Sequence, residues 1–567
     1  MKFSKKYLCF VVLLVLALFL ELNTVQERYA VVETFRGALL QREVFYPLMS
    51  KNINDSGYLT VYVNDELYNN NDYSIIVDDN MQPSASLKFI REYLGGSAYR
   101  ANSNTVVVQI QDDIYVFVLD RNVVSCNGQE MELSTSPSMH QEDIYIGLSD
   151  LCTFFDYQYS YEPESQDIYV SYDSEAPLPS RFDLRKIKRI SFIRDQGSSS
   201  TCWACASLEA LESSLKPFAD YKFSIEHMIE GNSFGLSADN GGDYTMALAY
   251  LLSWQGPVEE YENETAVHLQ EAHFYDADDV EDIKRAVYKD GGVSTSIFAS
   301  VISSNLSMSS NYNGRTNSYC YLGQNKPNHD VVIVGWDDNY PAENFIENVP
   351  GDGAFICQNS WGDKFGENGI FYISYYDSNI GKQAVSYTRV DALGHYDNIY
   401  QSDLCGWVGQ MGYSKEWIYG ANTYTARSTE AVKAAGFYAL ADNTSYQVYF
   451  VNNYENTGSL ANRVLMAEGV VKDAGYYTID FSTPMPVEKD ENFAIVLYIN
   501  SPGVTKPMAL EYQSDEMTAN VTLEDGKGFI SNNGLDWESA EDVAKANLCL
   551  KAYSVDRIEI MEDRVEE

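Results

Sequence analysis

Basic residues are scarce in this chain, which has 39 Lys and Arg against 82 Asp and Glu. The formal charge of −43 repels a phosphate backbone and an anionic membrane surface, so it excludes nucleic acid as an expected partner. Hydrophobic residues still make up 45% of the sequence, with 44 Tyr and 25 Phe, unlike a disordered acidic chain. The acidity therefore belongs to folded domains and favours their solubility.

Cysteine is also thinly distributed. Beyond Cys9, which lies in the N-terminal apolar run, cysteines occur at 126, 152, 202, 205, 320, 357, 405 and 549. This spacing excludes the dense disulfide scaffold of small secreted domains. The 567 residues suffice for about three or four domains, so hydrophobic cores must provide the stability. We expect neither a metal site nor a cofactor.

One long apolar run occurs, from Tyr7 to Leu20, and it follows three lysines. A run of about 14 residues is short of the roughly 20 that a spanning helix needs, and the pattern is typical of a secretory signal. No clear cleavage site follows, so residues 1–30 are predicted to be a signal peptide or an uncleaved anchor, before a linker at 31–55. Either alternative exports the protein to the extracellular space or the cell surface, with the membrane reached only through that anchor.

Residues 56–173 form a strand-rich block that contains two similar stretches. The stretch 87–110 and the stretch 148–172 share a helix-like apolar pattern, a turn and alternating strands, about 61 residues apart, which indicates an internal duplication. With VYVND near its start and CNGQEMEL between its halves, the block resembles copper amine oxidase N-terminal-like domains. It has no His or Cys cluster at metal spacing, so we assign no copper and expect an α+β spacer or surface-attachment module.

The segment QGSSSTCWACAS, residues 196–207, precedes a helical pattern. Cys202 is therefore predicted at a helix N-terminus, where unpaired N–H groups and the positive dipole end stabilise a thiolate. Ser200 and Thr201 are expected to cap this helix. The position favours a reactive cysteine over a buried packing residue.

Only six histidines in the chain could act as the base for Cys202. His329 lies in NHDVVIVGWDD and Asn359 in FICQNSWGD, roughly 130 and 160 residues after the cysteine, an order and spacing typical of papain-like proteases. A redox pair of Cys202 with Cys205 is the alternative, but no thioredoxin-like strand pattern precedes it. Cys205 and Cys357 are expected to be buried packing residues.

Four motifs in the same order make residues 178–392 resemble the papain-like cysteine proteases: LPSRFDLR, QGSSSTCWACA, NHDVVIVGW and NSWGDKFGENGIFYI. The resemblance implies an α+β domain with a helical lobe and a β-barrel lobe. It also implies that Cys202 attacks the scissile carbonyl and that His329 forms an ion pair with it and later protonates the leaving amine. Further implied roles are orientation of the imidazole by Asn359, shielding by Trp361, support by Trp203 and oxyanion stabilisation by Gln196.

The same resemblance implies substrate-binding residues, namely Gly241, Gly242, Asp243, Asn328 and Asp330. The glycine pair is expected to run along the cleft and pair with an extended substrate. Asp243 and Asp330 stand where the family usually has apolar residues, so two carboxylates facing one pocket predict a preference for Lys or Arg two residues before the scissile bond. The alternative is that one or both face solvent or pair with a lysine.

Three family cysteines are missing, with Ser199, Gly231 and Asp239 in their places. Their joint loss predicts a fold that does not depend on an oxidising compartment. No helical pattern typical of an inhibitory prosegment is found before residue 178.

Residues 393–557 alternate short strands with turns and predict a β-sandwich. They resemble the lectin-like domain that follows the catalytic domain in bacterial members of this protease family, with cell-wall or host glycans as implied partners and a structural role as the alternative. Residues 558–567 form an acidic tail. We therefore interpret the chain as an exported cysteine endopeptidase acting on polypeptides. The competing classes are a non-catalytic surface adhesin on a protease fold and a wall hydrolase, which Asn359 disfavours.

Overall fold

The computed structural model describes most of the chain after residue 58. The described residues are 59–63, 66–68, 74–77, 82–94, 97–102, 104–110, 113–140, 143–155, 157–163, 166–171, 178–216, 219–236, 240–276, 280–300, 309–523 and 526–556. The predicted signal or anchor, the linker, the acidic tail and Asp239 lie outside them. Within these ranges, no helix combines the length and apolarity that crossing a membrane requires.

The N-terminal part consists of short strands and two seven-residue helices. The strands are β1 (Thr60–Val63), β2 (Glu66–Tyr68), β3 (Ile75–Val77), β4 (Pro83–Ser86), β5 (Ser97–Asn102), β6 (Thr105–Ile110), β7 (Asp113–Val118), β8 (Val123–Cys126), β9 (Gln129–Glu132), β10 (Ser138–His140), β11 (Asp143–Gly147), β12 (Gln158–Glu162) and β13 (Asp167–Ser171). The helices are α1 (Leu87–Tyr93) and α2 (Leu148–Phe154). Each helix precedes two strands, as the sequence pattern predicted. The duplication and the resemblance of this block to the amine oxidase-like domains stay predictions.

The chain divides into two compact units, and the first takes its described residues from the stretches up to 86 and 145–172. In this unit β1 pairs in parallel with β13 and antiparallel with β2, while β4 pairs antiparallel with β3 and β11. Buried Val61, Ile168 and Leu151 belong to its core. The second unit comprises 87–144 and the chain from 173 onward, and it includes β5 to β9 as an antiparallel meander.

The middle of the second unit contains four helices of 7 to 14 residues around mostly buried strands. The helices are α3 (Cys202–Leu215), α4 (Ile225–Gly231), α5 (Tyr244–Leu252) and α6 (Val280–Lys289), and the strands are β14 (Arg181–Asp183), β15 (Val267–Tyr275), β16 (Val293–Ile297), β17 (Tyr312–Asn313), β18 (Ser318–Tyr319), β19 (His329–Asp337), β20 (Ala354–Gln358), β21 (Ile370–Ser374) and β22 (Ala384–Ala392). A 3₁₀ turn spans Ala342–Asn344. Because α3 is rich in Ala, Leu and Glu, its sequence favours a helix, and the structure confirms the predicted one.

The C-terminal part is a β-sandwich with one short helix. Its strands are β23 (Asn398–Tyr400), β24 (Gly409–Met411), β25 (Trp417–Thr425), β26 (Glu430–Ala439), β27 (Thr444–Val451), β28 (Val464–Val471), β29 (Gly475–Val487), β30 (Asn492–Asn500), β31 (Met508–Tyr512), β32 (Gly528–Ser531), β33 (Glu538–Ser539), β34 (Ala546–Leu548) and β35 (Leu550–Asp556). The helix is α7 (Ala540–Ala544), and a 3₁₀ turn spans Thr457–Asn462. Buried Phe437, Phe450 and Ile495 belong to the sandwich core.

One sheet runs through both of these parts. Its strand order is β17-β18-β21-β20-β19-β16-β22-β15-β29-β26-β35-β23, with β14 paired to β19, whereas β28-β27-β30-β25-β32-β33 forms the second layer of the sandwich. The junction is the pairing of β15 with β29, where Ala272 faces Tyr476 and His273 faces Gly475. A side chain at Gly475 would lie 2.3 Å from the carbonyl oxygen of Ala272, so this close approach requires glycine. The sequence predicted two separate domains and did not predict this shared sheet.

Candidate active site

Cys202 is the first residue of α3, with a partly exposed side chain. Burial, followed by the Asp330 carboxylate, raises the pKa of the Cys202 thiol to about 12. Backbone N–H groups of Asp330 and Trp203 hydrogen-bond the sulfur and oppose this shift. The sulfur therefore lies next to the residue that follows His329, and a lone thiolate is disfavoured there at neutral pH.

The expected side-chain cap of α3 is absent. Thr201 occupies the N-cap position, but it makes no side-chain cap hydrogen bond. Its backbone angles, φ −107° and ψ 17°, differ from the extended geometry typical of capping residues, and its hydroxyl lies 2.8 Å from that of Ser199. The capping prediction was wrong because this hydroxyl is held by a neighbour in the loop.

His329 and Asn359 form a buried hydrogen-bonded pair. The Nε2 atom of His329 lies 2.8 Å from Oδ1 of Asn359, and the two residues are 1% and 0% exposed. The indole of Trp361 stacks on the imidazole, with ring centroids 4.5 Å apart and planes 22° from parallel. Burial lowers the pKa of His329 to about 4, and the hydrogen bond to Asn359 opposes this shift. The imidazole is therefore oriented, shielded and neutral when no negative charge lies beside it.

Gln196 is held against the segment that follows β20 and carries the asparagine. Its backbone N–H donates to the carbonyl oxygen of Ser360 at 2.9 Å, and its Oε1 accepts from the Ser360 hydroxyl at 2.6 Å. Its Nε2 donates to the carbonyl oxygen of Ser199 at 2.7 Å, which uses one of the two hydrogens on that amide nitrogen. The Gln196 side chain is thus fixed on the loop that leads into α3.

A buried ion pair that the sequence analysis missed holds this loop to α3. Arg194 donates to both carboxylate oxygens of Glu212, at 2.8 and 2.5 Å, and the backbone N–H of Phe223 donates to the same carboxylate at 2.7 Å. Burial raises the pKa of neighbouring Glu209 to about 8, which the Arg194 charge opposes. The sequence contained a signal for this ion pair, because LEALE places two glutamates among the apolar residues of the predicted helix. Carboxylates buried there require a partner of opposite charge.

Gly241 and Gly242 lie against the start of α3. A Cβ atom on Gly242 would be 2.7 Å from the indole of Trp203 and 2.8 Å from the sulfur of Met246, so this contact excludes a side chain. Gly241 has φ +77° and faces Ser200, with 3.7 Å from its ideal Cβ to that of Ser200. The glycine pair therefore flanks Cys202 with exposed backbone.

Asp243 and Asp330 are close enough to interact, yet each carboxylate already has partners. The exposed Asp243 caps α5 by accepting from the backbone N–H and hydroxyl of Thr245, at 2.8 and 2.5 Å. Asp330 accepts from the Ser296 hydroxyl at 2.5 Å. Burial raises the pKa of Asp330 to about 7. The hydrogen bond from Ser296 opposes this shift, and the charge of Asp243 adds a smaller increase. Both carboxylates, after burial, also raise the pKa of Tyr244, to about 12.

Asn328 faces the neighbouring loop through both ends of its amide. Its Oδ1 accepts from the backbone N–H of Ala299 at 2.7 Å, and its Nδ2 donates to the carbonyl oxygen of the same residue at 3.0 Å. These contacts fix the segment before His329. The predicted substrate contact of Asn328 stays a prediction.

The other cysteines do not join the site. All eight in the described ranges are free, so Cys202 and Cys205 form no disulfide. Burial raises the pKa values of Cys205 and Cys357 above the ordinary thiol range. Across the described ranges no group of three or more His, Cys, Asp or Glu is arranged to hold a metal ion. What the structure assembles is a thiol, an oriented imidazole and fixed amide donors.

Family comparisons match two parts of the chain. Residues 178–388 match the papain family cysteine protease model, and residues 399–554 match the lectin like domain model. Neither match extends to residues 56–173.

Curated relatives and solved structures agree with these matches. The viral cathepsins of Heliothis zea nuclear polyhedrosis virus and Epiphyas postvittana nucleopolyhedrovirus are 27% and 30% identical over 212 and 211 residues. These alignments cover 35% and 34% of this chain, and the chain spans 52% and 59% of the relatives.

A structure of the clostridial cysteine protease Cwp84 after propeptide cleavage matches with a TM-score of 0.59 and 22% identity, covering 66% of this chain and 99% of that one. A second structure, of the protease and lectin-like domains of Cwp84, a surface layer associated protein of Clostridium difficile, matches with a TM-score of 0.58 and 21% identity, covering 67% of this chain and 90% of that one. At these identities the likeness shows the fold alone.

Proposed function

We propose that this chain, whose residues 178–388 belong to the papain family of cysteine proteases, hydrolyses peptide bonds in polypeptides through Cys202, His329 and Asn359. The observation that carries the proposal is the buried His329–Asn359 pair, 2.8 Å apart, whose other imidazole nitrogen has no hydrogen-bond partner within the described residues. A buried nitrogen without a partner costs free energy, so a proton-accepting role explains its retention.

The mechanism follows from the two opposed pKa shifts. Burial disfavours a lone thiolate on Cys202 and a lone imidazolium on His329. Transfer of the thiol proton to Nδ1 forms both charges together, and their mutual attraction offsets the desolvation of each. The thiolate then attacks the scissile carbonyl, and His329 passes the proton to the leaving amine. Water, deprotonated by the same imidazole, hydrolyses the thioester.

The oxyanion of the tetrahedral intermediate needs donors that are already fixed. The backbone N–H of Cys202 at the start of α3 and the second Nε2 hydrogen of Gln196 meet this need. The ion pair of Arg194 with Glu212 supports this role because it holds the Gln196 loop to the helix. Asn359 and Trp361 keep the imidazole in one orientation, and Trp203 supports the glycine pair.

Substrate recognition is proposed at Gly241, Gly242, Asp243, Asn328 and Asp330. The interaction between Asp243 and Asp330 supports an acidic pocket that prefers Lys or Arg two residues before the scissile bond. Since Asp243 also caps α5, Asp330 is the main contributor to this preference.

We place the protein outside the cell or at its surface, exported through its N-terminal segment. Similarity of its fold to a surface layer associated protease supports this location. The lectin-like match over residues 399–554 supports glycan binding by the C-terminal part.

The experiment is covalent labelling with an epoxide inhibitor of papain-like enzymes, located by peptide mass spectrometry. We expect one adduct, on Cys202, together with loss of peptide hydrolysis. Cys202→Ala should be inactive and unlabelled. The matched control Cys205→Ala should retain both peptide hydrolysis and labelling on Cys202. An active Cys202→Ala protein, or labelling elsewhere with activity lost, contradicts the proposal.

A further inference from the structure

The outer face of the six-stranded sheet carries a groove that peptide hydrolysis does not use. Its volume is about 720 Å³ and we call it the aromatic groove. Its outward-facing rings come from Trp417, Tyr419 and Tyr498, and its polar side chains from Ser445, Gln447, Glu468 and Asn533. Tyr446 also lines the groove, but its ring packs on Phe437 in the sandwich core.

Strand register explains why these side chains meet. Tyr419 on β25 faces Tyr498 on β30, Tyr498 faces Gln447 on β27, and Gln447 faces Glu468 on β28. These four side chains form one row across the sheet, with Trp417 two residues from Tyr419 on the same face. Apart from Asn533, the groove is therefore built from strands rather than loops.

The rings form a bent platform. The ring centroids of Tyr419 and Tyr498 are 4.9 Å apart at 50°, and those of Trp417 and Tyr498 are 6.2 Å apart at 38°. Both tyrosines and the tryptophan are partly exposed. The Nζ atom of Lys415 lies 4.3 Å from the centroid of the Trp417 ring, and the guanidinium of Arg463 lies 5.6 Å from that of Tyr419, so among the described residues each of these two rings keeps one face free of a cation. Exposed aromatic faces on a soluble protein favour a ligand that offers C–H groups to them.

Polar groups border one side of this platform. The Tyr449 hydroxyl donates to Oε1 of Gln447 at 2.7 Å, and Nε2 of Gln447 donates to Oε2 of Glu468 at 2.8 Å. These bonds orient a planar amide and a planar carboxylate beside the rings. The Glu468 carboxylate accepts hydrogen bonds, and the Gln447 amide both donates and accepts.

We propose that the aromatic groove binds a saccharide chain. A pyranose ring has a C–H face that stacks on aromatic rings and hydroxyl groups at its rim that pair with amides and carboxylates, so the groove offers both kinds of contact. Glu468 borders the groove, while Lys415 and Arg463 lie over two of its rings, so the local charge is mixed and favours a neutral saccharide. This inference rests on the proposed glycan binding of the C-terminal part and assigns its site.

The test measures binding of the full-length protein to three soluble hexasaccharides, of β-1,4-linked N-acetylglucosamine, glucose and mannose, by calorimetry and tryptophan fluorescence. We expect at least one to bind, with affinity reduced about tenfold or more in Trp417→Ala and Tyr498→Ala. Tyr261→Ala is the matched control, because this tyrosine is 96% exposed and lies outside the groove. It should bind like the wild type.

Peptide hydrolysis by the same samples separates this inference from the protease proposal. Trp417→Ala and Tyr498→Ala should cleave peptides at the wild-type rate, which also shows that they are folded. Loss of saccharide binding with hydrolysis retained supports the groove assignment. Absence of binding to all three probes, equal affinity in Trp417→Ala, or binding of a peptide in the groove instead overturns it, whether or not the enzyme is active.

Discussion

His329 and Asn359 are 1% and 0% exposed, whereas Trp417, Tyr419 and Tyr498 present their rings on an open sheet face. Both regions belong to the same compact unit, and one sheet connects the parts of the chain that carry them. The first excludes water from a few fixed polar atoms, as proton transfer requires. The second leaves rigid aromatic surface accessible, as binding of an extended ligand requires. Burial therefore distinguishes the proposed catalytic site from the proposed saccharide site.

The largest change is expected on removal of the buried base. His329→Ala should lower kcat/KM for a peptide substrate by about 10³-fold or more, because the variant loses the imidazole that Asn359 orients to accept the thiol proton. Steady-state hydrolysis measures this effect. The control is His395→Ala, whose side chain is 40% exposed and distant in sequence. Comparable losses in both variants would show that the effect is not specific to the site.

Removal of the orienting amide should have a smaller effect. Asn359→Ala should reduce kcat/KM by about 10- to 100-fold, since the imidazole remains but is no longer held. The reduction should appear in kcat, with KM little changed. Unchanged kcat in this variant would contradict the orienting role.

The connection between the two regions is open to a stability test. Gly475→Ala places a methyl group against the Ala272 carbonyl oxygen, so we expect about 1–3 kcal/mol lower free energy of unfolding. Gly314→Ala is the matched control, because its nearest neighbour is 3.8 Å from the ideal Cβ.

Calorimetry should also show residues 178–556 unfolding in one transition. Separate transitions for protease and sandwich would show that the shared sheet does not couple them.

The smallest effect concerns the acidic pocket. The pKa of Asp330 is raised to about 7, so its carboxylate is neutral below that pH and charged above it. Preference for Arg over Leu two residues before the scissile bond should therefore rise several-fold as the pH increases through about 7. Ratios of kcat/KM for paired peptides measure this.

Asp330→Asn should make that ratio independent of pH. Asp220→Asn, at a carboxylate that is 72% exposed, should retain the wild-type dependence. A constant preference for Leu in the wild type would eliminate the acidic pocket.

The sequence predicted the site better than the connections around it. Cys202, His329, Asn359 and Gln196 were predicted as site residues because each lies in a short local motif, and the structure places His329 against Asn359 and Cys202 beside Asp330. The pairing of β15 with β29 was not predicted, since it joins segments roughly 200 residues apart and strand partners are set by tertiary packing.

Two finer features also depended on neighbours that the sequence pattern does not specify. Thr201 fails to cap α3 because its hydroxyl contacts Ser199. The pKa of Cys202 is raised rather than lowered, because burial and Asp330 outweigh the helix N-terminus. Local patterns thus predicted residue positions, and the folded surroundings decided their protonation.

The most direct measurement of the central claim is the pH dependence of Cys202 alkylation by iodoacetamide, followed by peptide mass spectrometry. If Cys202 and His329 charge as a pair, the wild-type rate should be nearly level between about pH 5 and 8. In His329→Ala it should rise about tenfold per pH unit, as for an unassisted thiol of raised pKa. Parallel profiles in the two proteins would contradict the account.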